Sequence, residues 1–161
     1  MARSPSVKRS LDRFDRAILR IVQRDNKTPQ RRIAEAVNLS AAAVQRRIAA
    51  MEAAGVIDRN IAIVDTRAVA MTITAIVEVR MINEHRETAD AARALFTATP
   101  EVQQCYYVTG GISFVLVIVA PDMPSYEALT RRLFNENEAV ASFRSLLALD
   151  RVKTGCEIVI P

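Results

Sequence analysis

In the first sixty positions, hydrophobic residues recur three and four places apart, which is the spacing of amphipathic helices. In "LDRFDRAILRIVQRD" (residues 11–25), Asp12 is a suitable N-cap, and Asp15 puts negative charge into the first turn. In "TPQRRIAEAV" (residues 28–37), Thr28 is the predicted N-cap and Pro29 the first helical residue. These patterns predict two helices that share a core, with inward residues Phe14, Ile18, Ile21, Val22, Ile33, Ala34 and Val37.

A third helix is predicted in "NLSAAAVQRRIAAMEAAGVI" (residues 38–57), with Ser40 as its cap and Gly55 as its stop. The preceding "NLS" forms a tight turn, so two helices follow each other as in a helix-turn-helix motif. One face of this third helix carries Val44, Ile48 and Met51; the opposite arc carries Ala42, Gln45, Arg46, Ala49 and Ala53, with Arg47 at the edge.

From residue 72 onward the pattern changes to strands and helices in the order βαββαβ. The strands are predicted at residues 72–82, 102–110, 113–120 and 142–153, and the helices at 86–99 and 123–137. A tight turn at Gly110–Gly111 joins the second and third strands, and the pattern of "CEIVIP" at the end predicts a further short strand. This order predicts a ferredoxin-like domain, with helices on one face of an antiparallel sheet.

The fold class is therefore α+β, with a winged helix-turn-helix followed by a ferredoxin-like domain. We predict a disordered basic tail at residues 1–10, a DNA-binding domain at 11–59, a linker at 60–71, and a ligand-sensing and oligomerisation domain at 72–161. Short strands at Val56–Ile57 and Ile61–Val64 form the wing or the link to the second domain.

The charge is unevenly distributed along the chain. Residues 1–60 hold thirteen Lys and Arg against six Asp and Glu, whereas residues 61–161 hold nine against twelve. A basic front half points to a polyanionic partner for that half alone. The N-terminus lacks the apolar run of a signal peptide, and the two cysteines are far apart, as expected for free thiols in a cytoplasmic protein.

The outward face of the third helix suits the DNA major groove, where a helix presents its N-terminal residues to base edges. Gln45 is suited to adenine and Arg46 to guanine, while alanines let the backbone approach closely. Arg31, Arg32 and Arg47 are better suited to phosphates, and Ser40 caps the helix and is compatible with a phosphate contact. The predicted DNA-binding residues are Arg31, Arg32, Ser40, Ala42, Ala43, Gln45, Arg46, Arg47 and Ala49.

Residues 11–155 together resemble the leucine-responsive/asparagine-responsive (Lrp/AsnC) family of transcription regulators. The resemblance is carried by "LDRFDRAIL", "RRIAEAVNLSAAAVQRRIAAMEAAGVI", Asp65 and "VTGGISFVLVIV". It implies a C-terminal ligand-sensing domain (of the RAM or ACT-like type) and a homo-oligomer, from dimer to octamer. It also implies binding to double-stranded promoter DNA, modulated by an amino acid or a related metabolite.

Two stretches depart from the family pattern. The family usually has Pro and Gly where this chain has Thr66 and Ala70. Members that sense amino acids tend to read Gly-Asp/Glu-aromatic-Asp in the turn between the second and third strands, whereas here both acidic positions are absent. We predict that this turn contacts a small-molecule effector but does not select common amino acids as the relatives do. The residues of the turn are Thr109, Gly110, Gly111, Ile112 and Ser113.

The sequence gives little support to an enzyme. His85 is the single histidine and lies in the polar stretch "NEHRE", and no metal-ligand spacing, phosphate loop or nucleophile motif occurs. We therefore predict no cofactor, no metal and no membrane partner. Two alternatives stay open: an enzyme like the sirohaem decarboxylases, which resemble this family, and a protein that compacts DNA with little sequence preference.

Overall fold

The computed structural model describes residues 10–161, which form two compact units. One unit contains the chain up to Ile63 together with Thr154–Pro161, and the other spans Val64–Lys153. The division falls inside the predicted linker. The last eight residues, which we had assigned to the C-terminal domain, belong instead with the N-terminal helices. The predicted basic tail lies outside the described residues, except for Ser10.

The first unit contains three helices, α1 (Arg13–Val22), α2 (Gln30–Val37) and α3 (Ala41–Ala53). The starts of α1 and α3 are as predicted: Asp12 forms a capping box with Asp15, and the Ser40 hydroxyl accepts a hydrogen bond from the Ala43 N–H. Gly55 follows α3 with a φ of 68°. The buried residues of this core are Ile18, Ile33, Ala34, Val37, Val44 and Met51.

The start of α2 differs from the prediction. The helix begins at Gln30, and Pro29 rather than Thr28 occupies the N-cap position, without a side-chain hydrogen bond. The Thr28 hydroxyl instead donates to the Asp25 carbonyl at 2.8 Å. The prediction of Thr28 as a cap was therefore wrong, because its hydroxyl completes the preceding turn rather than the helix.

The turn between α2 and α3 depends on Asn38. Asn38 has φ 54° and ψ 49°, the left-handed conformation that asparagine tolerates better than most residues. The following N–H, that of Leu39, donates to the Ala34 carbonyl at 3.0 Å, and the Leu39 side chain packs against the core. The turn thereby lets Leu39 contribute to the core of the helical unit.

The predicted wing strands are not strands in the described chain. The N–H groups of Val56 and Ile57 both donate to the Met51 carbonyl, so they complete the C-terminus of α3 rather than a strand ladder. Residues 58–65 form no regular element, and Ile61 and Ile63 are 58% and 76% exposed. A short 3₁₀ turn, Arg67–Val69, follows and ends at Ala70.

The second unit has the predicted βαββαβ order. Its four-stranded sheet has the strand order β2-β3-β1-β4, and its neighbouring strands are antiparallel, as in a ferredoxin-like fold. The last helix continues as a π-helical turn, Arg131–Asn135. The elements are β1 (Ile73–Met81), α4 (Arg86–Ala98), β2 (Val102–Tyr107), β3 (Phe114–Ala120), α5 (Met123–Thr130) and β4 (Val140–Leu147).

The two faces of this sheet differ in their burial. Val77 and Val79 of β1 and Leu116 of β3 are fully buried and pack in one core with Phe96 of α4 and Leu133 of the π-helical turn. The alternate side chains form what we call the open face, and they are only partly buried or exposed. The open face comprises Ile76, Glu78, Tyr106, Val115, Val117, Arg144 and Leu146.

The C-terminal end of the chain departs from the prediction. Strand β4 ends at Leu147, so residues 148–153 of the predicted strand lie beyond it. The "CEIVIP" segment forms no strand and joins the helical unit. Over the described residues, none of the helices combines the length and the apolar composition needed to cross a membrane.

Candidate nucleic-acid interface

The outward face of α3 carries small side chains and two long polar ones. Ala42, Gln45, Arg46 and Ala49 are exposed and Ala43 is half-buried, while Val44 on the opposite side is fully buried. The predicted division of the helix into a core face and a solvent face is confirmed. The exposed face can therefore approach another surface closely over its alanines, with Gln45 and Arg46 extending from it.

The N-terminus of α3 is capped but accessible. Ser40 is exposed, and its Oγ lies 3.2 Å from the Ala43 nitrogen, which satisfies one of the free N–H groups of the first turn. The positive end of the helix dipole lies at this same terminus. Capping accounts for Ser40 in the structure, and its contact with a phosphate stays a prediction.

Arg31 and Arg32 extend from α2 into solvent. Arg31 lies 3.4 Å from Glu35 one helical turn away, but the two side chains are 89% and 67% exposed. Such an exposed pair is weak and screened by salt, so it does not prevent Arg31 from contacting an anion. Both arginines keep the positions that the prediction of phosphate contacts requires.

Arg47 has a different position from the other predicted DNA-binding residues. Its Nη1 atom lies 2.8 Å from Asp12 Oδ2 and 2.8 Å from Asp15 Oδ1, and its side chain is only 25% exposed. The guanidinium also lies 5.5 Å from the centroid of the Phe14 ring. We therefore correct the assignment of Arg47: it joins α3 to the N-terminus of α1 rather than extending towards a ligand.

The carboxylates that hold Arg47 are the capping residues of α1. Asp15 is 2% exposed, so it is a buried acid beside a cation. The backbone N–H of Asp15 lowers the pKa of the Asp12 carboxyl, and Arg47 lowers it further. The hydrogen bond that Arg47 donates to Asp15, followed by the one that it donates to Asp12, raises the pKa of Arg47. The sequence predicted Asp12 as the N-cap and Asp15 as a negative charge in the first turn, but it gave no indication that the two carboxylates hold an arginine of another helix.

The predicted effector residues lie in the loop between β2 and β3. Thr109, Gly110 and Gly111 are exposed, Ile112 is half-buried, and Ser113 is buried. The two glycines have φ values of 110° and 91°, which other residues rarely adopt. The loop therefore presents backbone and a threonine to solvent, with no acidic side chain among its five residues.

Ser113 anchors this loop to the end of β1. Its N–H donates to the Val79 carbonyl at 2.8 Å, and its Oγ accepts a hydrogen bond from the Met81 N–H at 3.1 Å. Beside the loop, the centroids of the Tyr107 and Phe114 rings lie 5.1 Å apart. The Arg93 guanidinium lies 4.4 Å from the centroid of the Tyr107 ring. Ser113 thus has a clear structural role, while the binding of an effector stays a prediction.

The groups considered for other chemistry are dispersed. His85 is exposed at the N-cap of α4, and no cluster of three potential metal-ligating acids, histidines or cysteines was found among residues 10–161. Cys105 is half-buried, and burial raises the pKa of its thiol, whereas Cys156 is exposed.

Comparison with known proteins agrees with the two-unit architecture. The family model described as winged helix-turn-helix DNA-binding matches residues 11–58, and the Lrp/AsnC ligand binding domain matches residues 74–158. An uncharacterized HTH-type transcriptional regulator, y4tD of Sinorhizobium fredii, is 39% identical over 89% of this chain and 85% of its own length. The leucine-responsive regulatory protein of Rhizobium meliloti is 29% identical over 96% of this chain and 99% of its own.

A solved structure has the same fold. The crystal structure of an AsnC family transcriptional regulator from Agrobacterium tumefaciens superimposes with a TM-score of 0.86 at 32% identity. The match covers 92% of this chain and 97% of that one. The similarity therefore extends over both the helical and the sheet units.

Proposed function

The chain belongs to the Lrp/AsnC family of DNA-binding transcription regulators, and from that premise we propose that it reads promoter DNA with the outward face of α3. The observation that carries the proposal is the exposure of Gln45 and Arg46 among alanines on a helix whose other face is buried. An α-helix of this kind fits the major groove, and its N-terminal half reaches the base edges.

In this proposal, the exposed residues of α3 have distinct roles. Arg46 donates two hydrogen bonds to a guanine, and Gln45 pairs with an adenine, the geometries that these side chains favour. Ala42 and Ala49 keep the helix backbone close to the groove floor, and a methyl group there can contact thymine. Ala43 contributes in the same way at the rim of the interface.

Arg31, Arg32 and Ser40 hold the helix in register by contacting phosphates. The exposure of Arg31 and Arg32 and the capped terminus of α3 support this role. Arg47 is left out of the proposed contact set, because its guanidinium is held by Asp12 and Asp15.

We further propose that two copies present their α3 helices to successive major grooves, roughly 34 Å apart on a pseudo-palindromic site. The open face of the sheet supports self-association. Tyr106 and Leu146 are 53% and 45% exposed, and the half-buried Ile76, Val115 and Val117 adjoin them. Exposed apolar side chains grouped on one face of a sheet, here beside the Glu78–Arg144 ion pair, suit an interface between copies of the chain. A promoter-binding regulator works beside the genome, so we infer a cytoplasmic location.

A small-molecule effector is part of the proposal. The name of the Rhizobium meliloti relative, a leucine-responsive protein, supports a metabolite of amino-acid type. The loop from Thr109 to Ser113 is the candidate contact in this chain. Because it lacks an acidic side chain, we propose that the effector is not selected there through an α-ammonium group. No cofactor enters this proposal.

The test is equilibrium binding to the duplex upstream of the chain's own gene, compared with a scrambled duplex at two salt concentrations. We expect a preference for the natural duplex that persists at the higher salt concentration. Arg46→Ala should reduce the discrimination by about 1–3 kcal/mol. Arg59→Ala, which removes an exposed arginine beyond α3, is the matched control and should leave the discrimination unchanged.

The outcomes separate the proposal from its alternatives. Equal binding to both duplexes with a steep salt dependence would indicate an architectural protein that neutralises phosphates without reading bases. If the wild-type chain prefers the natural duplex and Arg46→Ala keeps the same preference, Arg46 is removed from the proposed contacts. Absence of binding to either duplex would contradict the proposed function.

A further inference from the structure

The C-terminal segment Thr154–Pro161 lies in the same compact unit as the three N-terminal helices. It is held by Arg20 in the last turn of α1 and by Gln23 and Arg24, which follow directly after the helix ends at Val22. Residues some 135 positions later in the chain thus contact the first helix, as in the bond between Gln23 and Ile158.

Most of these contacts are made to the backbone of the segment. Arg20 donates to the Ile160 carbonyl from Nε at 3.2 Å and from Nη2 at 3.0 Å. Gln23 donates from Nε2 to the Ile158 carbonyl at 3.0 Å and accepts from the Ile158 N–H at 3.2 Å. The Gln23 amide therefore pairs with both the C=O and the N–H of Ile158. Such pairing favours an extended chain and does not depend on the side chains of that chain.

One contact recognises a side chain. The Arg24 Nε atom lies 2.8 Å from Glu157 Oε1, in an ion pair whose members are 72% and 47% exposed. The apolar side chains of the segment add little, since Ile158 and Val159 are 69% and 94% exposed and Ile160 is only half-buried. The segment therefore docks through polar contacts that water can replace, with little apolar burial to offset the entropy of ordering it.

We propose that the last turn of α1 and the two residues after it form a binding surface for an extended chain terminus, and that residues 154–161 are a releasable strap that favours DNA binding when docked. The contacts of the strap lie at the C-terminal end of α1, while Asp15 at its other end holds Arg47 of α3. When the strap is released, the last turn of α1 loses these partners and becomes more mobile. DNA binding must then restore the lost order, which lowers the affinity.

The test uses the exposed Cys156 as a site for a nitroxide label, in the full chain with Cys105→Ala so that one thiol remains. Electron paramagnetic resonance reports the mobility of the strap, and binding to the duplex upstream of the chain's own gene reports its effect. Glu157→Arg removes the ion pair with Arg24, and Arg24→Glu combined with Glu157→Arg restores it in reverse. Glu127→Arg, on the exposed side of α5, adds the same charge elsewhere and is the control.

We expect the label to be restricted in the parent chain and in the control, mobile in Glu157→Arg, and restricted again in the double variant. The dissociation constant for the duplex should rise about fivefold in Glu157→Arg and return in the double variant. The added positive charge of Glu157→Arg would by itself strengthen DNA binding, so weaker binding cannot be a charge effect.

Two results would overturn the proposal. A label as restricted in Glu157→Arg as in the parent would show that these contacts do not hold the strap. A mobile label in Glu157→Arg with a DNA affinity equal to that of the Glu127→Arg control would refute its influence on DNA binding. The influence of the strap on DNA binding rests on the proposed function, whereas the docking of the strap, which the spectra report, does not. A parent chain that binds no DNA would refute the proposed function and the DNA role of the strap, while the spectra still decide whether the strap docks.

Discussion

Arg47 of α3 lies 2.8 Å from Asp15, an acid of α1 that is 2% exposed, and thereby joins the predicted recognition helix to the first helix of the chain. The neighbouring Arg46 is exposed and directed to solvent. Two adjacent arginines on one helix thus have opposite environments. One is held inside the unit by carboxylates, and the other is available to a ligand.

Arg47→Ala should destabilise the helical unit. The substitution leaves a buried carboxylate without its guanidinium partner, and breaking such pairs from one side typically costs about 3–5 kcal/mol when both groups are buried. Because Arg47 is partly exposed, we expect a loss of about 2–3 kcal/mol in the free energy of unfolding. Urea denaturation followed by circular dichroism measures this loss.

Arg46→Ala is the matched control for that experiment, since it removes the same side chain one position earlier. It should change the free energy of unfolding by less than about 0.5 kcal/mol, as expected for an exposed residue. Equal stability losses in the two variants would contradict the structural role assigned to Arg47.

The Asp12 cap gives the helical unit a defined response to acid. The Asp15 N–H and Arg47 hold the pKa of Asp12 below its ordinary value of 3.8. A group whose pKa is lowered on folding stabilises the folded chain above its unfolded pKa, and this contribution is lost as the pH falls through the folded pKa. The Asp12 contribution should therefore be complete above about pH 5 and disappear progressively below pH 4.

Asp12→Asn keeps an oxygen that can cap the helix but removes the titrating charge. The urea midpoint of this variant should depend less steeply on pH in the acidic range than that of the parent. Asp122→Asn provides a comparison in the sheet unit, because Asp122 caps α5 and the hydrogen bond of Ser125 lowers its pKa in the same direction. Parallel acid profiles for the parent and Asp12→Asn would contradict the assignment.

Helix starts and stops were predictable because their signals are local. Asp12 and Asp15 form a capping box three residues apart, and Gly55 ends α3, so neighbouring residues alone determine the geometry. Thr28 shows the limit of such signals, since its hydroxyl had a competing acceptor in the Asp25 carbonyl. The prediction of wing strands was wrong for a similar reason, because the N–H groups of Val56 and Ile57 donate to the Met51 carbonyl at the end of α3.

The candidate site was predictable as a face but not as a set of contacts. Helical spacing located Gln45 and Arg46 on the exposed side of α3. It could not show that Arg47 turns back to α1, because that pairing joins residues 32 positions apart and depends on how the helices pack. The docking of residues 154–161 on α1 was missed for the same reason.

Ala70 stands where the family usually has Gly, and it occupies a backbone conformation that suits glycine. Its φ of 57° and ψ of 24° are left-handed, and for a residue with a Cβ this region costs about 1–2 kcal/mol. Ala70→Gly should therefore stabilise the sheet unit by about 0.5–1 kcal/mol, after the greater freedom of glycine in the unfolded chain is subtracted. Thermal unfolding measures this gain.

Ala68→Gly is the control for Ala70→Gly, because it lies in the same 3₁₀ turn without a positive φ. It should destabilise the chain by about 0.5–1 kcal/mol, the usual effect of added backbone freedom. If both substitutions lowered the stability equally, the left-handed conformation of Ala70 would not be strained.

The open face of the sheet is the predicted surface for self-association. Val117 lies between Ile76 and Gln104 on the neighbouring strands and is half-buried. Val117→Lys places a charge in the middle of this face and should lower the molar mass measured by light scattering, with little change in circular dichroism. Gln104→Lys adds the same charge on the edge strand and should leave most of the assembly intact. An unchanged mass for Val117→Lys would exclude the open face as the interface.

The loop from Thr109 to Ser113 is fixed to β1 by its buried serine. The Oγ of Ser113 accepts a hydrogen bond from the Met81 N–H. Ser113→Ala removes that acceptor and leaves a buried N–H without its partner, so the free energy of unfolding should fall by about 1–3 kcal/mol. Ser113→Asp retains an acceptor and adds the negative charge that amino-acid-sensing relatives tend to have at this turn. If the absence of an acid determines effector choice, calorimetric titration with the twenty amino acids should show no tight, ammonium-dependent binding to the parent and measurable binding to Ser113→Asp. Tight binding of an amino acid to the parent, abolished when its ammonium group is acetylated, would show that the loop selects amino acids without an acid and would refute the prediction.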